Sequence, residues 1–294
     1  MPDWGQVHVT TRNSETVEDA LLELGALSVT LADAADTPVL EPAPGETPLW
    51  PELIVTGLFE AEQDLEAVRE TLLQQGLAGA TQIRLERLGE RCWERAWLDD
   101  FAPMRFGQRL WVSPHEADAV WPADAVVLRM DPGLAFGTGT HPTTRLCLQW
   151  LDGADLSGAY VIDYGCGSGV LAVAAALLGA ASVQAYDIDP QAITATRDNA
   201  RANGVEDRIR LLPPDQPPHT AADIVLANIL AGTLITLAKP ITALVKPGGC
   251  LVMSGILSEQ AQSVTDAYAE QFLLNAANSE AWVRLDGRRF APSV

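Results

Sequence analysis

Three glycines at alternate positions and one later aspartate carry the clearest chemical signal in this chain. Gly165, Gly167 and Gly169 follow an apolar run that ends at residues 161–162. Glycine lets the backbone turn sharply and approach a ligand closely. Asp187 follows a second apolar run about 20 residues after the glycines, a spacing at which an acid can bind both hydroxyls of a ribose. The pattern predicts a β-α-β nucleotide-binding unit, with Gly165, Gly167 and Asp187 at the ligand.

The residue before the glycines narrows the kind of ligand. Asp163 would repel a phosphate, whereas dinucleotide sites place a pyrophosphate on the helix that follows the glycines. A carboxylate here suits a cationic ligand without phosphate, and S-adenosylmethionine, with its sulfonium and amino groups, is such a ligand. Asp163 is therefore predicted to lie at the ligand. NAD or another nucleotide, and a tight turn that binds nothing, are the alternatives.

Asn228 is the candidate catalytic residue. It follows the apolar run 223–227, at a predicted strand end where ligands of such sheets bind. Methyl transfer from a sulfonium needs alignment of a neutral nucleophile more than it needs a strong base. The amide oxygen of Asn228 can accept a hydrogen bond from an acceptor amine and orient its lone pair. A turn-forming asparagine is the plainer alternative.

The loop DPGLAFGTGTHPTT, residues 131–144, precedes this unit and is rich in glycine and threonine. Its hydroxyls, Thr144 among them, can reach the cofactor's carboxylate, and Phe136 can close over the methyl group. Such a loop is predicted to act as a lid. His141 can be a general base, or it can cap the helix that is predicted to begin near Pro142.

Composition limits the class of protein. The chain has 294 residues, a length that suggests about two domains. Its formal net charge is −20, and 48% of its residues are hydrophobic. We expect neither a secretory signal nor a membrane span. The four cysteines form no CxxC pair, which argues against disulfides and zinc and favours a reducing cytoplasm. The acidity disfavours nucleic acid and favours a basic partner, or it serves solubility alone.

The pattern along the chain predicts three parts. Residues 1–90 read β-α-β-β-α-β, the order of a small α+β ferredoxin-like domain, and are predicted to recognise the substrate. Residues 91–124 form an aromatic-rich connector. Residues 125–294 alternate strands and helices, which predicts an α/β, doubly wound, Rossmann-like domain. Ser14, Asp64 and Asp189 are predicted helix caps.

Five motifs together resemble the ribosomal protein L11 methyltransferase family: DPGLAFGTGTHPTT, VIDYGCGSG, AYDIDPQAI, DIVLANILAG and LVKPGG–SGIL. The resemblance covers essentially the whole chain and implies a class I, S-adenosylmethionine-dependent protein N-methyltransferase without a metal. It implies methylation of the N-terminal α-amine and of lysine side chains of one large-subunit ribosomal protein, held by the front domain. It carries the cofactor positions over to Thr144, Gly165, Asp187 and Asn228; Phe136, Asp163 and Gly167 come from the local pattern alone.

One departure from wider methyltransferase patterns bears on the acceptor. Relatives that modify glutamine or adenine carry Asn-Pro-Pro-Tyr or Asp-Pro-Pro-Tyr after the fourth strand, where this chain has Asn228, Ile229 and Leu230. Without the tyrosine there is no stacking surface for a planar group, which favours a flexible aliphatic amine. A small-molecule or nucleic-acid methyltransferase and a non-enzymatic assembly factor are the competing hypotheses. We expect a monomer that contacts neither membrane nor nucleic acid.

Overall fold

The chain divides into two compact units, Met1–Ala96 and Trp97–Val294. The computed structural model describes residues 4–35, 50–88, 102–115, 117, 119–130 and 141–291. The division falls inside the predicted connector 91–124, whose limits stay a prediction. Among the residues described, no helix is both long and apolar enough to span a bilayer.

The first unit is a four-stranded antiparallel sheet with two helices. Its elements are β1 (Trp4–Thr11), α1 (Ser14–Glu23), β2 (Ser28–Asp33), β3 (Leu53–Phe59), α2 (Leu65–Gln74) and β4 (Ile83–Leu88). The strand order is β2-β3-β1-β4, with every neighbouring pair antiparallel. This is the predicted ferredoxin-like arrangement, and the fold class predicted for this part of the chain is confirmed.

Alternation along the strands places one face of this sheet against the helices. Val7 and Val9 of β1 are fully buried, and Leu21 of α1 and Leu72 of α2 pack in the same core. Asp64 caps α2 by accepting hydrogen bonds from two backbone amides, as predicted. The cap predicted for α1 was wrong: Ser14 is its first helical residue and the residue before it occupies the N-cap position, with no side-chain cap bond.

The second unit contains a small sheet and a large one. The small sheet consists of β5 (Met104–Phe106), β6 (Leu110–Ser113) and β7 (Val126–Arg129). The large sheet holds β8 (Tyr160–Tyr164), β9 (Ser182–Tyr186), β10 (Ile209–Leu211), β11 (Ala222–Asn228), β12 (Val245–Leu257), β13 (Phe272–Ser279) and β14 (Trp282–Arg289). Part of the predicted connector thus forms β5 and β6, and β6 pairs with β7.

The large sheet has the order β10-β9-β8-β11-β12-β14-β13. The first five strands in that order are parallel, whereas β14 is antiparallel to both of its neighbours. The helices are α3 (Pro142–Gly153), α4 (Val170–Leu177), α5 (Pro190–Ala202), α6 (Ala231–Thr236), α7 (Ala238–Leu244) and α8 (Ala261–Tyr268). The chain order reverses at β8 and β11, the switch point where ligands bind in such sheets. The predicted doubly wound α/β fold is confirmed.

Two polar side chains fasten the small sheet to the helices of the second unit. The buried carboxylate of Asp152 in α3 accepts hydrogen bonds from the backbone amides of Gln108 and Arg109, in the turn between β5 and β6, and of Leu110, the first residue of β6. Asn203, which follows α5, exchanges two 2.7 Å bonds with the backbone of Arg129 at the end of β7. Both contacts join segments far apart in the chain.

Candidate functional site

The glycine turn lies at the carboxyl end of β8 in a backbone shape that requires glycine. Gly165, Gly167 and Gly169 have φ angles of +81°, +53° and +78°, a region that side chains with a Cβ rarely adopt. The amides of Gly165 and Cys166 both donate to the carbonyl of Tyr186 at the end of β9, at 2.8 and 3.0 Å. The turn is therefore fixed to the neighbouring strand.

Helix α5 supports the same turn from behind. The hydroxyl of Thr196 donates to the carbonyl of Gly167 at 3.0 Å, and the side-chain amide of Asn199 donates to the carbonyl of Ser168 at 2.8 Å. A Cβ on Gly169 would lie 2.6 Å from Thr196. These supports were not predicted from the sequence. Thr196 and Asn199 lie about 30 positions after the glycine turn, and contacts at this separation leave no local sequence pattern.

Asp187 and the glycine turn meet directly. One oxygen of its carboxylate accepts a 2.9 Å hydrogen bond from the amide of Gly167. The other accepts from the amide of Asp189 at 3.0 Å, and Asp189 in turn caps α5 as predicted. Asp187 itself is only partly buried. The structure thus brings together the three residues predicted to bind the nucleoside: Gly165, Gly167 and Asp187.

Asp163 is buried below the turn and acts as a remote helix cap. Gly169 is the N-cap residue of α4 and has no side chain to cap with, and Asp163 Oδ2 accepts from the amide of Ala172, three residues into the helix, at 3.0 Å. Its side chain is 1% exposed. Burial raises the pKa of Asp163 to about 7, partly offset by the Ala172 hydrogen bond. Its other oxygen, Oδ1, is buried and has no partner among the described residues.

Asn228 and Thr144 lie in contact, although 84 positions separate them in the chain. Asn228 ends β11 beside the glycine turn of β8, because β8 and β11 are paired. Its side-chain Nδ2 donates a 3.3 Å hydrogen bond to the hydroxyl of Thr144. Thr144 lies in the first turn of α3 and is fully buried. The structure therefore joins two predicted site residues that are distant in the chain.

His141 begins α3 at its N-cap position. Its side chain accepts from the amide of Thr143, and its ring stands edge-on to that of Trp282, with ring centroids 4.9 Å apart. Burial lowers the pKa of His141, and the charge of Glu280 opposes this. The capping alternative from the sequence is therefore realised. Phe136 and the loop residues 131–140 lie outside the described part of the chain.

An aromatic pair beside the site was not predicted. Tyr164 ends β8 and Tyr186 ends β9, and their ring centroids are 5.1 Å apart. The hydroxyl of Tyr186 donates to the carbonyl of Pro214 at 3.1 Å, which ties the loop after β10 to the strand that precedes Asp187. Each tyrosine directly precedes a predicted site residue, Gly165 or Asp187, and this adjacency was the available signal.

The residues present fit an adenosine ligand that carries positive charge. Residues 160–190 contain three aspartates and no lysine or arginine, so this segment offers no side chain to neutralise a phosphate. The unpartnered oxygen of Asp163 is a buried acceptor of the kind that a nearby cation stabilises. Across the described ranges, no group of three or more His, Cys, Asp or Glu is placed to hold a metal ion.

This chain is similar to known proteins along nearly its whole length. The family model described as ribosomal protein L11 methyltransferase (PrmA) matches residues 3–290. The ribosomal protein L11 methyltransferases of Salmonella arizonae and Salmonella typhimurium are each 55% identical over 287 residues, covering 97% of this chain and 98% of the relative. A crystal structure of the ribosomal protein L11 methylase from Lactobacillus delbrueckii subsp. bulgaricus superposes with a TM-score of 0.58 at 32% identity, covering 65% of this chain and all of that one.

Proposed function

Because the chain belongs to the ribosomal protein L11 methyltransferase family, we propose that it transfers methyl groups from S-adenosylmethionine to amines of ribosomal protein L11. The enzyme class is that of an S-adenosylmethionine-dependent methyltransferase. The acceptors are the N-terminal α-amine and lysine side chains of that protein. The observation that carries this proposal is the meeting of Asn228 and Thr144 at the edge of the sheet that holds the glycine turn.

The binding of the methyl donor is assigned to the ends of three adjacent strands. Asp187, after β9, accepts hydrogen bonds from the ribose hydroxyls, and Gly165 and Gly167, after β8, let the backbone lie close to the ligand. Thr144 and Asn228 lie on the β11 side, where the methionine part belongs. Asp163 lies beneath, where its charge complements that of the sulfonium and ammonium groups. We assign Phe136 the role of covering the methyl group, as the sequence predicts.

The reaction needs a neutral amine that is aligned with the methyl group. S-adenosylmethionine supplies a methyl group that is already activated by the positive sulfur. The amine lone pair forms the new N–C bond while the C–S bond breaks, the electron pair of that bond goes to sulfur, and the amine loses one proton to solvent. Asn228 contributes by accepting a hydrogen bond from the amine, which directs the lone pair toward the methyl carbon. Alignment of this kind lowers the barrier without a strong base.

The first unit is assigned to holding the protein substrate. Residues 1–90 contain 17 acidic and 4 basic residues, and such a surface attracts a basic protein and repels nucleic acid. An intracellular ribosomal substrate implies that the enzyme works in the cytoplasm. No second copy of the chain and no membrane is needed for this reaction, so a monomer is expected to suffice.

Mass spectrometry of purified L11 tests the proposal. L11 is incubated with this chain and S-adenosylmethionine, digested, and mapped for mass increments of one methyl group or multiples of it. Increments on the α-amine and on lysines are expected. Cofactor binding measured in parallel, with no increment on L11, would preserve the methyltransferase assignment and reject L11 as the acceptor. Activity on RNA or on a metabolite, with none on L11, would support the competing hypothesis.

A further inference from the structure

The turn between β13 and β14 contains the one non-glycine residue, among those described, with a positive φ angle. Ser279 pairs with Trp282, which leaves Glu280 and Ala281 as a two-residue hairpin loop. Glu280 has a φ of +55°. Two-residue hairpins place glycine, asparagine or aspartate at such a position, because the Cβ of most other residues is strained there. A strained residue persists where the surrounding structure holds it, often at a functional site.

This hairpin lies at the same edge of the sheet as the site residues. β14 runs antiparallel to β12, and its first residue, Trp282, pairs with Leu257 at the end of β12. Asn228 pairs with Ser254 three residues earlier in β12. Since neighbouring strands lie about 4.8 Å apart, the start of β14 lies about 10 Å to the side of Asn228. The hairpin therefore lies two strands from Asn228, on the side away from the glycine turn.

The first turn of α3 connects the two places. Thr144 contacts Asn228 on β11, and His141, three residues earlier, contacts the ring of Trp282 on β14. Glu280 is exposed, and its charge acts on His141 across this junction. Glu280 is thus exposed to solvent two residues before Trp282, whose ring contacts His141.

We propose that Glu280 is a specificity-determining residue that attracts the protonated acceptor amine to the site before it is deprotonated and methylated. The inference rests on the proposed function, since only an amine acceptor is cationic. The assigned methyl-donor residues occupy the ends of β8, β9 and β11, which leaves the side of β12 and β14 for the acceptor. A carboxylate on that side raises the local concentration of a cation. Its attraction explains why glutamate occupies a turn position that glycine fits better.

Two substitutions at Glu280 separate attraction from a structural role. Glu280→Gln removes the charge and keeps the strained side chain, whereas Glu280→Gly removes the charge and relieves the strain. Glu270→Gln is the matched control, because Glu270 is exposed and precedes β13 at its other end, about 30 Å from the hairpin at 3.3 Å per strand residue. The measurements are KM and kcat for L11, the Kd for S-adenosylmethionine and the midpoint of thermal unfolding.

Both Glu280 variants are expected to raise the KM for L11 about fivefold at low salt, with kcat and the Kd for S-adenosylmethionine unchanged. The difference from the wild-type enzyme should shrink as salt screens the charge. Glu280→Gly should also melt at a higher temperature than the wild-type protein. The inference would be overturned if the Glu280 variants had the same KM for L11 as Glu270→Gln. It would also be overturned if they lost affinity for S-adenosylmethionine by the same factor as their KM for L11 rises. If the wild-type chain does not methylate L11, the proposed function fails instead, which the first assay shows separately.

Discussion

The side-chain amide of Asn228 donates to the hydroxyl of Thr144, and in this arrangement its oxygen is the end of the amide that this bond does not use. With Nδ2 committed to Thr144, the oxygen Oδ1 points away from that bond. An amine that donates an N–H needs an oxygen, and a flipped amide would offer it a second donor instead. Thr144, fully buried at the start of α3, thus holds the side chain of Asn228 in place.

Removal of the amide oxygen should therefore slow methyl transfer more than it weakens cofactor binding. Asn228→Ala is expected to lower kcat about 100-fold, the cost of losing one oriented polar group in a transition state. Thr144→Val should lower kcat less, because the amide can still adopt the correct orientation part of the time. Thr144→Ser keeps the hydroxyl and is the control. Single-turnover methylation of L11 measures the effect, and a wild-type rate for Asn228→Ala would remove Asn228 from the reaction.

Asp187 and Asp189 allow ribose binding to be separated from helix capping. Asp187→Ala is expected to weaken S-adenosylmethionine binding about 10- to 100-fold, since hydrogen bonds to a charged group contribute about 1.5–3 kcal/mol. Asp189→Ala removes the cap of α5 and should cost about 1 kcal/mol of stability with little change in affinity. Titration calorimetry and thermal unfolding measure the two effects. Equal affinity losses in both variants would indicate that Asp187 acts only through the fold of its loop.

Asp163 should make stability fall as pH rises. Its folded pKa of about 7 lies above the value of 3.8 for an unperturbed aspartate, so the folded chain retains a proton that the unfolded chain loses between these values. The free energy of unfolding therefore falls across this window, by about 4 kcal/mol at most, given about 1.4 kcal/mol per pKa unit.

Asp163→Asn keeps an acceptor for the amide of Ala172 but cannot ionise. The stability of this variant relative to the wild-type protein should therefore increase from pH 4 to pH 8, in urea unfolding without cofactor. Asp223→Asn provides a comparison of opposite sign if the curves are extended to lower pH, because the hydrogen bond from Lys246 lowers the pKa of Asp223, and its contribution is lost only as pH falls below the unperturbed value of 3.8. Parallel curves for the wild-type protein and Asp163→Asn would show that Asp163 does not titrate in this range.

Asp152 should be among the most sensitive positions in the second unit. Asp152→Ala leaves three backbone amides, two in the turn between β5 and β6 and one at the start of β6, without their acceptor, and is expected to destabilise the protein by about 3–5 kcal/mol. Asp155→Ala is the control: Asp155 is also an aspartate near the end of α3, but it accepts from a single exposed amide and should cost little. Chemical unfolding measures both, and a small loss in Asp152→Ala would mean that water satisfies the turn.

Local signals in the sequence were sufficient for the fold class and for the grouping of the site. The glycine spacing, the acid after the second strand and the asparagine after the fourth strand each mark the end of a strand, and parallel strands end at one edge. Gly165, Asp187 and Asn228 therefore had to converge once the sheet was predicted. The caps at Asp64 and Asp189 could also be predicted from local signals, since capping depends on residues within one turn of the helix start.

Contacts between distant segments could not be predicted in this way. Asp163 has the sequence position of a ligand residue, and its contact with the ligand stays a prediction. In the structure its carboxyl caps α4 by accepting from an amide nine residues later, because Gly169 at the N-cap position has no side chain. The bonds of Asp152 and Asn203 to the small sheet depend on packing between separated elements, and no periodicity encodes them. Ser14 was assigned as a cap on residue type, although Asn13, its equally suitable neighbour, holds that position.

The anchoring of the small sheet determines how this enzyme can be divided for experiments. Gly107, with a φ of +73°, lies so close to Asp152 that a Cβ would collide with its carboxylate, and β6 is the parallel partner of β7. A fragment that begins at the predicted boundary of 125 would deprive Asp152 of its donors and β7 of its neighbour. A catalytic fragment that folds by itself must therefore begin before Met104, so that part of the aromatic-rich segment is retained with the enzyme.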